Sequence, residues 1–350
     1  KEEFNKVNEK LNEENIKKYD LPKFRGLHWS KEQKRKYPYR KMAAHIVGFS
    51  NSDDVGQAGI EMSQEEALRG EVTRTWRQRD RLGRVYDEWG AKRKETKDVF
   101  LTVSKSIQYK VQEALARGAQ RVRARSGKAI VLNPKTGEIL ALANYPSFDP
   151  NKYRKLKPGA WRNRAIQDNY APGSVFKLVT YGAALGEELI APDDEIDCGT
   201  GTITIARHTF NDSHSIGQVS YTRAFAESSN VGAIKTGIRV GKESFYQYAR
   251  DFGFGSKTGI ELPAEAAGIM RSPGSWNGDS LASMSIGYEI GVTALQSAMA
   301  FATIDNDGVR VQPHIIKEIR KSNGEVFSST EPEKVRVVSD KTAIDLRKML

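Results

Sequence analysis

Residues 129–145 read AIVLNPKTGEILALANY. Two apolar runs flank Asn133-Pro134-Lys135-Thr136-Gly137, where proline presets one turn angle and glycine tolerates a positive φ, so the segment is a β-hairpin. Just upstream, VFLTV at 99–103 is a strand by its β-branched and aromatic content. Between the two, SIQYKVQEALARGAQ at 106–120 has helical period and sets Ile107, Val111, Ala114 and Leu115 on one face. Strand, helix and hairpin in one unit specify an α+β domain around a mainly antiparallel sheet.

Downstream of the hairpin, GSVFKLVTYGAALGEEL at 173–189, the run after Tyr221, and VGAIKTGIRV at 231–240 are helical by period. They follow one another through short loops, so a helical subdomain flanks the sheet. Upstream, residues 1–97 are polar and irregular. They hold a strand-like run at 43–49, an arginine-rich strand-turn segment ending near Trp89, and the hydrophilic linker GAKRKETKD at 90–98. This predicts an elongated, mostly β or irregular pedestal over 1–97 and a packed domain over 98–350. The opening KEEFNKVNEKLNEENIKKYD is charged and helix-like, with neither the apolar core nor the cleavage site of a signal peptide. The chain starts at Lys1 and is read as a piece of a longer polypeptide.

Composition excludes several classes. The 350 residues are 38% hydrophobic and 28% charged, and no run approaches the roughly 18 apolar residues of a membrane span. The one cysteine, Cys198, forms no internal disulfide and no cysteine-based metal site. The net charge of +11 would suit an anionic partner. Yet the only dense basic cluster, Arg74, Arg77, Arg79, Arg81 and Arg84, is broken by Asp80 and Gly83 and lacks the stacked aromatics of nucleic-acid binders. Nucleic acid is therefore not expected as a partner, and the charge reads as a solvated face near an anionic membrane.

The chemistry concentrates in Ala171-Pro172-Gly173-Ser174-Val175-Phe176-Lys177. Pro-Gly announces a helix start, and a spacing of three sets Ser174 and Lys177 on one face, a turn apart. A serine hydroxyl is a poor nucleophile until a base takes its proton. A lysine is that base only if burial or nearby cations lower its pKa from ~10.4 toward ~7–8, and Val175, Phe176, Leu178 and Val179 supply apolar company. The serine's own amide, at a helix N-terminus, points where an oxyanion would form. A lone Ser-x-x-Lys also fits a capping serine followed by a surface lysine. A second signal, Ser228-Ser229-Asn230, falls between the helix-like YTRAFAE and the next helix. Capping explains it too, but an interhelical loop would aim it at the first site, with Ser228 relaying a proton and Asn230 holding a substrate amide and the lysine.

Other constellations are weaker. His208, Asp212 and His214 match no zinc signature, and there is no Gly-x-Ser-x-Gly elbow for a Ser-His-Asp hydrolase. Trp76, Trp89, Trp161 and Trp276 read as packing residues rather than a carbohydrate platform. Neither cofactor nor metal is expected.

With both motifs in order, the sequence resembles the class B penicillin-binding proteins, monofunctional peptidoglycan D,D-transpeptidases, and within them the cell-division type. HIVGFSNSDDVGQAGIE at 45–61 and RDRLGRVYDE at 79–88 resemble the pedestal, and SGKAIVLNPKTGEILALANYPSFDPN at 126–151 the hairpin opening the catalytic domain. RNRAIQDNYAPGSVFKLVT, ESSNVGAIKTG, FGFGSKTGIELPAE and SIGYEIGVTALQ follow in family order. The resemblance implies that Ser174 is acylated, that Lys177 is its general base, and that Ser228 and Asn230 form the second motif. The family's third motif, Lys-Thr-Gly on a strand edging the cleft, is the departure. The triplets at Lys135, Lys235 and Lys257 all come too early and are read as structural, and DKTAIDLRKML at 340–350 resembles the helix before that strand. The third motif is thus expected beyond Leu350.

The resemblance further implies peptidoglycan stem peptides and β-lactams as ligands, a membrane glycosyltransferase and other division proteins as partners, and an extracytoplasmic catalytic domain anchored in the inner membrane by a helix preceding this chain. A β-lactamase or carboxypeptidase using the same serine, and a silent division scaffold, stay open at this point.

Overall fold

The computed structural model describes residues 9–10, 35–70, 76–79, 85–89, 96–157 and 159–350. The chain divides into two compact units, residues 1–36 and 37–350. Of the charged stretch at 1–20, only Glu9 and Lys10, which are helical, are described; the remainder of that expectation lies outside the described residues.

In the second unit, strand β1 (Lys97–Leu101) is followed by helix α1 (Lys105–Arg121) and the hairpin of β2 (Gly127–Leu132) and β3 (Ile139–Tyr145). The hairpin is antiparallel, with Ala129 opposite Ala143 and Ile130 opposite Leu142. Later in the chain, β4 (Ile316–Lys321) pairs antiparallel with both β1 and β5 (Val326–Ser329). Backbone bonds join the end of this three-stranded sheet to the hairpin, from the Ser104 N–H to the Leu140 carbonyl, the Ile139 N–H to the His314 carbonyl and the His314 N–H to the Gly137 carbonyl, and the buried Thr102 hydroxyl donates to the Ile139 carbonyl at 2.8 Å. The result is the α+β arrangement read from the hairpin.

The α1 face departs from its expectation at one position. Ala114 is exposed, and the buried positions are Gln108 and Ala119. A polar residue occupies the inward face because its amide both donates to the Leu142 carbonyl (3.1 Å) and accepts from the Leu142 N–H (2.9 Å). It thereby satisfies backbone groups of β3 that burial would otherwise leave unpaired.

The run at 43–49 is a second correction. Read as a strand, it contains a short helix, Ala44–Val47, and extended structure begins only at Phe49–Ser50. Ala43 and Gly48 bracket the turn with φ of 53° and 77°. A Cβ at Gly48 would lie 1.7 Å from the Ala58 carbonyl oxygen, so the chain must bend where only glycine fits. Tertiary packing overrides the β-propensity of Ile46 and Val47: Ile46 is buried in the hairpin core, and Phe49 packs with Phe148, Tyr153 and Trp161. The arginine-rich segment forms the expected antiparallel pair, Trp76–Arg79 with Val85–Trp89. Its turn at 80–84, and residues 90–95 of the linker, lie outside the described residues.

The helical subdomain surrounds α2 (Lys177–Gly186), whose residues from Lys177 to Leu185 are all buried. Around it stand α3 (Tyr221–Ala226), α4 (Asn230–Val240), α5 (Lys242–Asp251), α6 (Ser280–Ser285), α7 (Ala294–Asp305) and α8 (Asp340–Met349). Phe176, Tyr181, Phe245 and Phe252 are buried in this core, each contributing about 1.5–3 kcal/mol by leaving water. Small residues set the spacing. A Cβ on Gly237 of α4 would meet Ser285 Oγ of α6 at 1.9 Å, so these helices touch only because position 237 has no side chain. Among the described residues no helix is long and apolar enough to cross a membrane.

Candidate active site

Ser174 lies in a 3-10 turn, Gly173–Phe176, and α2 begins only at Lys177. The helix start expected at Ser174 is present, with its first turn wound as 3-10. Gly173, with φ of 58°, and Pro172 before it tighten the entry, and the Lys177 N–H donates to the Ser174 carbonyl. The tighter winding matters, because in a 3-10 turn residues i and i+3 eclipse. Ser174 and Lys177 therefore lie on one side of the backbone, with the serine exposed and the lysine at the head of the buried helix.

Lys177 is 1% exposed. Its Nζ donates to the Ser228 carbonyl at 2.5 Å, the Ser228 hydroxyl at 3.1 Å and the Asn230 Oδ1 at 2.8 Å. Three of the four residues singled out in sequence are thus joined directly. The fourth, the Ser174 hydroxyl, has no hydrogen-bond partner among the described residues and faces solvent. Burial lowers the Lys177 pKa to about 8, against the raising pull of the Asp212 carboxylate. An amine in that range exchanges protons near neutral pH, as an ordinary lysine does not.

Ser228 reaches the lysine through an uncommon backbone. Its φ is 55°, and the chain reverses there after α3, with the Ser228 N–H on the Phe225 carbonyl and the Ser229 N–H on the Ala224 carbonyl. A left-handed serine costs on the order of 1–3 kcal/mol and persists only when its surroundings hold it. The holding group is Asp212, which sequence reading noticed only as a neighbour of histidines. Its carboxylate accepts from the Ser229 hydroxyl (2.7 Å), the Asn230 N–H and the Val231 N–H (3.2 Å), while Asn230 Nδ2 donates to the Asn211 carbonyl at 2.7 Å. Asp212 follows the hairpin of Thr202–Ile205 and His208–Asn211, so a carboxylate 17 to 19 positions away in sequence fastens the start of α4. No local signal marks it, since the contact exists only after folding.

The histidines separate. His208 Nδ1 is 3.2 Å from Asp279, and His214 Nε2 is 2.9 Å from Glu227. Behind Ser174, the Gly173 N–H donates to the Gly287 carbonyl at 3.0 Å. A Cβ at Gly287, where φ is 80°, would fall 2.0 Å from the Gly173 oxygen, so the GYE segment backs the turn that presents the serine. Glu289 in that segment accepts from Ser280 Oγ at 2.8 Å and pairs with Arg271. Trp161 packs on Phe49, and Trp276 packs on Phe245 and Tyr246; the side chains of Trp76 and Trp89 lie outside the described residues.

The three early Lys-Thr-Gly triplets have structural occupations. Lys135 is in the β2–β3 turn. Lys235 Nζ donates to the Asp197 carbonyl and Thr236 Oγ1 to the Gly232 carbonyl. The Thr258 N–H and hydroxyl both donate to Glu265 Oε1.

Comparison with known proteins places this geometry. Residues 127–350 match the penicillin binding protein transpeptidase domain, and residues 1–101 the penicillin-binding protein dimerisation domain. The chain is 35% identical to penicillin-binding protein PbpB of Mycolicibacterium smegmatis over 93% of this chain and 51% of that protein. It is 31% identical to the peptidoglycan D,D-transpeptidase FtsI of Escherichia coli over 84% of this chain and 49% of that protein. The crystal structure of apo penicillin binding protein 3 from Mycobacterium tuberculosis superposes with a TM-score of 0.79 at 34% identity, covering 90% of this chain and 68% of that one. The same protein has been solved in complex with aztreonam and with ampicillin. The chain spans about half the length of the curated relatives it matches. With the dimerisation and transpeptidase matches in this order, the chain belongs to the class B penicillin-binding proteins and is similar to those of cell division.

Proposed function

We propose that the whole protein is a serine-type peptidoglycan D,D-transpeptidase of septal wall synthesis, with Ser174 as nucleophile. Residues 98–350 would form the catalytic portion and 1–97 the pedestal. The observation carrying this reading is Lys177: a buried amine, its pKa near 8, three residues after an exposed serine and tied to Ser228 and Asn230.

In the proposed reaction Lys177, neutral, takes the Ser174 proton as Oγ attacks the penultimate D-alanine carbonyl of a stem peptide. The C–N bond breaks, and D-alanine leaves with a proton returned from Lys177 through the Ser228 hydroxyl. An amine of a second stem then attacks the ester and releases Ser174. Asn230 has its Oδ1 on the lysine and its Nδ2 on a backbone carbonyl, so it fixes both the amine and the edge of the cleft. The Ser174 amide, in the first turn and without an intrahelical acceptor, would receive the developing oxyanion. None of the three Lys-Thr-Gly triplets within the chain is assigned as the family's third motif, because Lys135 lies in a hairpin turn and Thr236 and Thr258 are held by groups of their own segments. β-Lactams would acylate the same oxygen. A membrane glycosyltransferase and other division proteins are the proposed partners, with the catalytic portion extracytoplasmic and anchored in the inner membrane.

The test is intact-mass analysis of the full-length protein after benzylpenicillin. One adduct is expected on the wild type and none on Ser174→Ala; an adduct on the variant, or none on the wild type, overturns the assignment. Rapid turnover of a chromogenic cephalosporin would instead establish hydrolysis.

A further inference from the structure

A second cleft, of about 350 Å³, contains none of the four residues above; it lies between the C-terminal end of α5, the loop 252–259, α7 and the strands around Arg310 and Glu333. That volume is at the small end of ligand sites. Its floor includes the buried Phe252 and Met299. Its rim carries Arg250, Lys257 and Arg310 against the single carboxylate of Glu333. Among the described residues none of these three cations forms an ion pair.

The arginines are partly held by main chain. Arg310 Nε donates to the Asp251 carbonyl at 3.0 Å and Arg250 Nη1 to the Phe254 carbonyl at 3.2 Å. Fastening the end of α5 accounts for one N–H of each guanidinium. The remaining donors have no acceptor among the described residues, and Lys257 Nζ has none at all there. Both guanidiniums lie over the same glycine-rich loop: ideal Cβ positions at Gly253 and Gly255 would fall 3.7 Å from Arg310 Nη1 and 2.7 Å from Arg250 Nη1. The neighbouring carboxylates do not compensate. Glu265 is consumed by the N–H groups of Thr258 and Gly259 and the Thr258 hydroxyl, Asp251 accepts from Gln247, and Glu333 is exposed at the rim.

We propose that this cleft, formed by Arg250, Lys257 and Arg310 over the 252–259 loop, binds a phosphate-bearing anion outside the transpeptidase site. Two guanidiniums, each with one N–H engaged and the others open, and an ammonium place about three positive charges on the lining of one cleft. A single carboxylate would leave most of that charge uncompensated, whereas a phosphomonoester or pyrophosphate supplies two or more negative charges and oxygens enough for bidentate contact. The phosphate can be lipid-borne or soluble, and the apolar floor accepts a hydrocarbon portion in either case.

The experiment is isothermal titration of the full-length protein with pyrophosphate at fixed ionic strength. Saturable one-to-one binding is expected, weakened about 10-fold or more in Lys257→Glu and little changed in Lys110→Glu, an exposed lysine on α1 that controls for net charge. Arg310→Gln is measured in parallel, with its melting temperature separating lost folding from lost binding. Titration with a short-chain phosphatidic acid below its micelle concentration, used because the proposed anchor would insert into any vesicle, distinguishes the sources: binding tighter than that of pyrophosphate and weakened by Lys257→Glu assigns a lipid-borne phosphate, and binding no tighter than that of pyrophosphate assigns a soluble one. Absence of saturable binding, or equal losses in Lys257→Glu and Lys110→Glu, overturns the proposal.

Discussion

Replacing Asp212 by Asn tests whether a residue that touches no proposed substrate atom sets both the geometry and the proton affinity of the site. The carboxylate accepts three donors, from Ser229, Asn230 and Val231. An amide offers one acceptor oxygen and places a donor where the second oxygen stood. At least one donor is therefore orphaned, and charge assistance is lost from the others, for a cost of about 2–4 kcal/mol. The strained Ser228 is released with it, and a displacement of about 1 Å of Ser228 and Asn230 around the lysine is worth ~10²-fold in rate. Asp212 also raises the Lys177 pKa against burial, so its neutralisation lets that pKa fall. The assay is the second-order rate constant for acylation of the full-length protein by a fluorescent penicillin across pH 6–10. The expected outcome is a rate lower by about 10²-fold, an ascending pH limb moved to lower pH, and partial recovery in Asp212→Glu. An unchanged pH limb would refute the electrostatic role, and an unchanged plateau rate would refute the positioning role.

In the wild type the same profile should rise with pH through about 8 and then level off, because Lys177 accepts a proton only when neutral and its lowered pKa places that transition there; a rate independent of pH between 6 and 10 would remove the lysine as base. Gly287→Ala adds a Cβ 2.0 Å from the Gly173 oxygen at a φ of 80°. It should cost about 2–4 kcal/mol by chemical denaturation and slow acylation, because the displaced turn carries Ser174; wild-type acylation in this variant would show that the GYE segment does not position the serine. Gly237→Ala should destabilise the protein by about 1–3 kcal/mol by pressing α4 from Ser285, with Gly237→Ala/Ser285→Ala recovering part of the loss in melting temperature. No recovery would place the strain elsewhere.

The elements that sequence specified are those whose cause is local. The β2–β3 turn is written in Asn133-Pro134-Lys135-Thr136-Gly137, and the helices α1, α2 and α4 in the 3.6-residue spacing of their apolar residues. Ser174 and Lys177, a turn apart, and the Ser228–Asn230 loop between two helices are also local patterns, so all four site candidates were named from the chain. Position 43–49 failed because Gly48 must approach the Ala58 carbonyl, a contact between residues ten apart in sequence that propensity does not contain. Ala114 failed because Gln108 answers backbone groups of β3, 34 positions away.

The sequence by itself determined the α+β class, the family and the identities of the nucleophile and base candidates, since each is encoded by residue type and short-range spacing. Only tertiary structure decided that Lys177 is buried, that its amine meets Ser228 and Asn230, and that Asp212 fastens their loop. Desolvation and hydrogen bonds between distant segments depend on which surfaces the folded chain excludes from water.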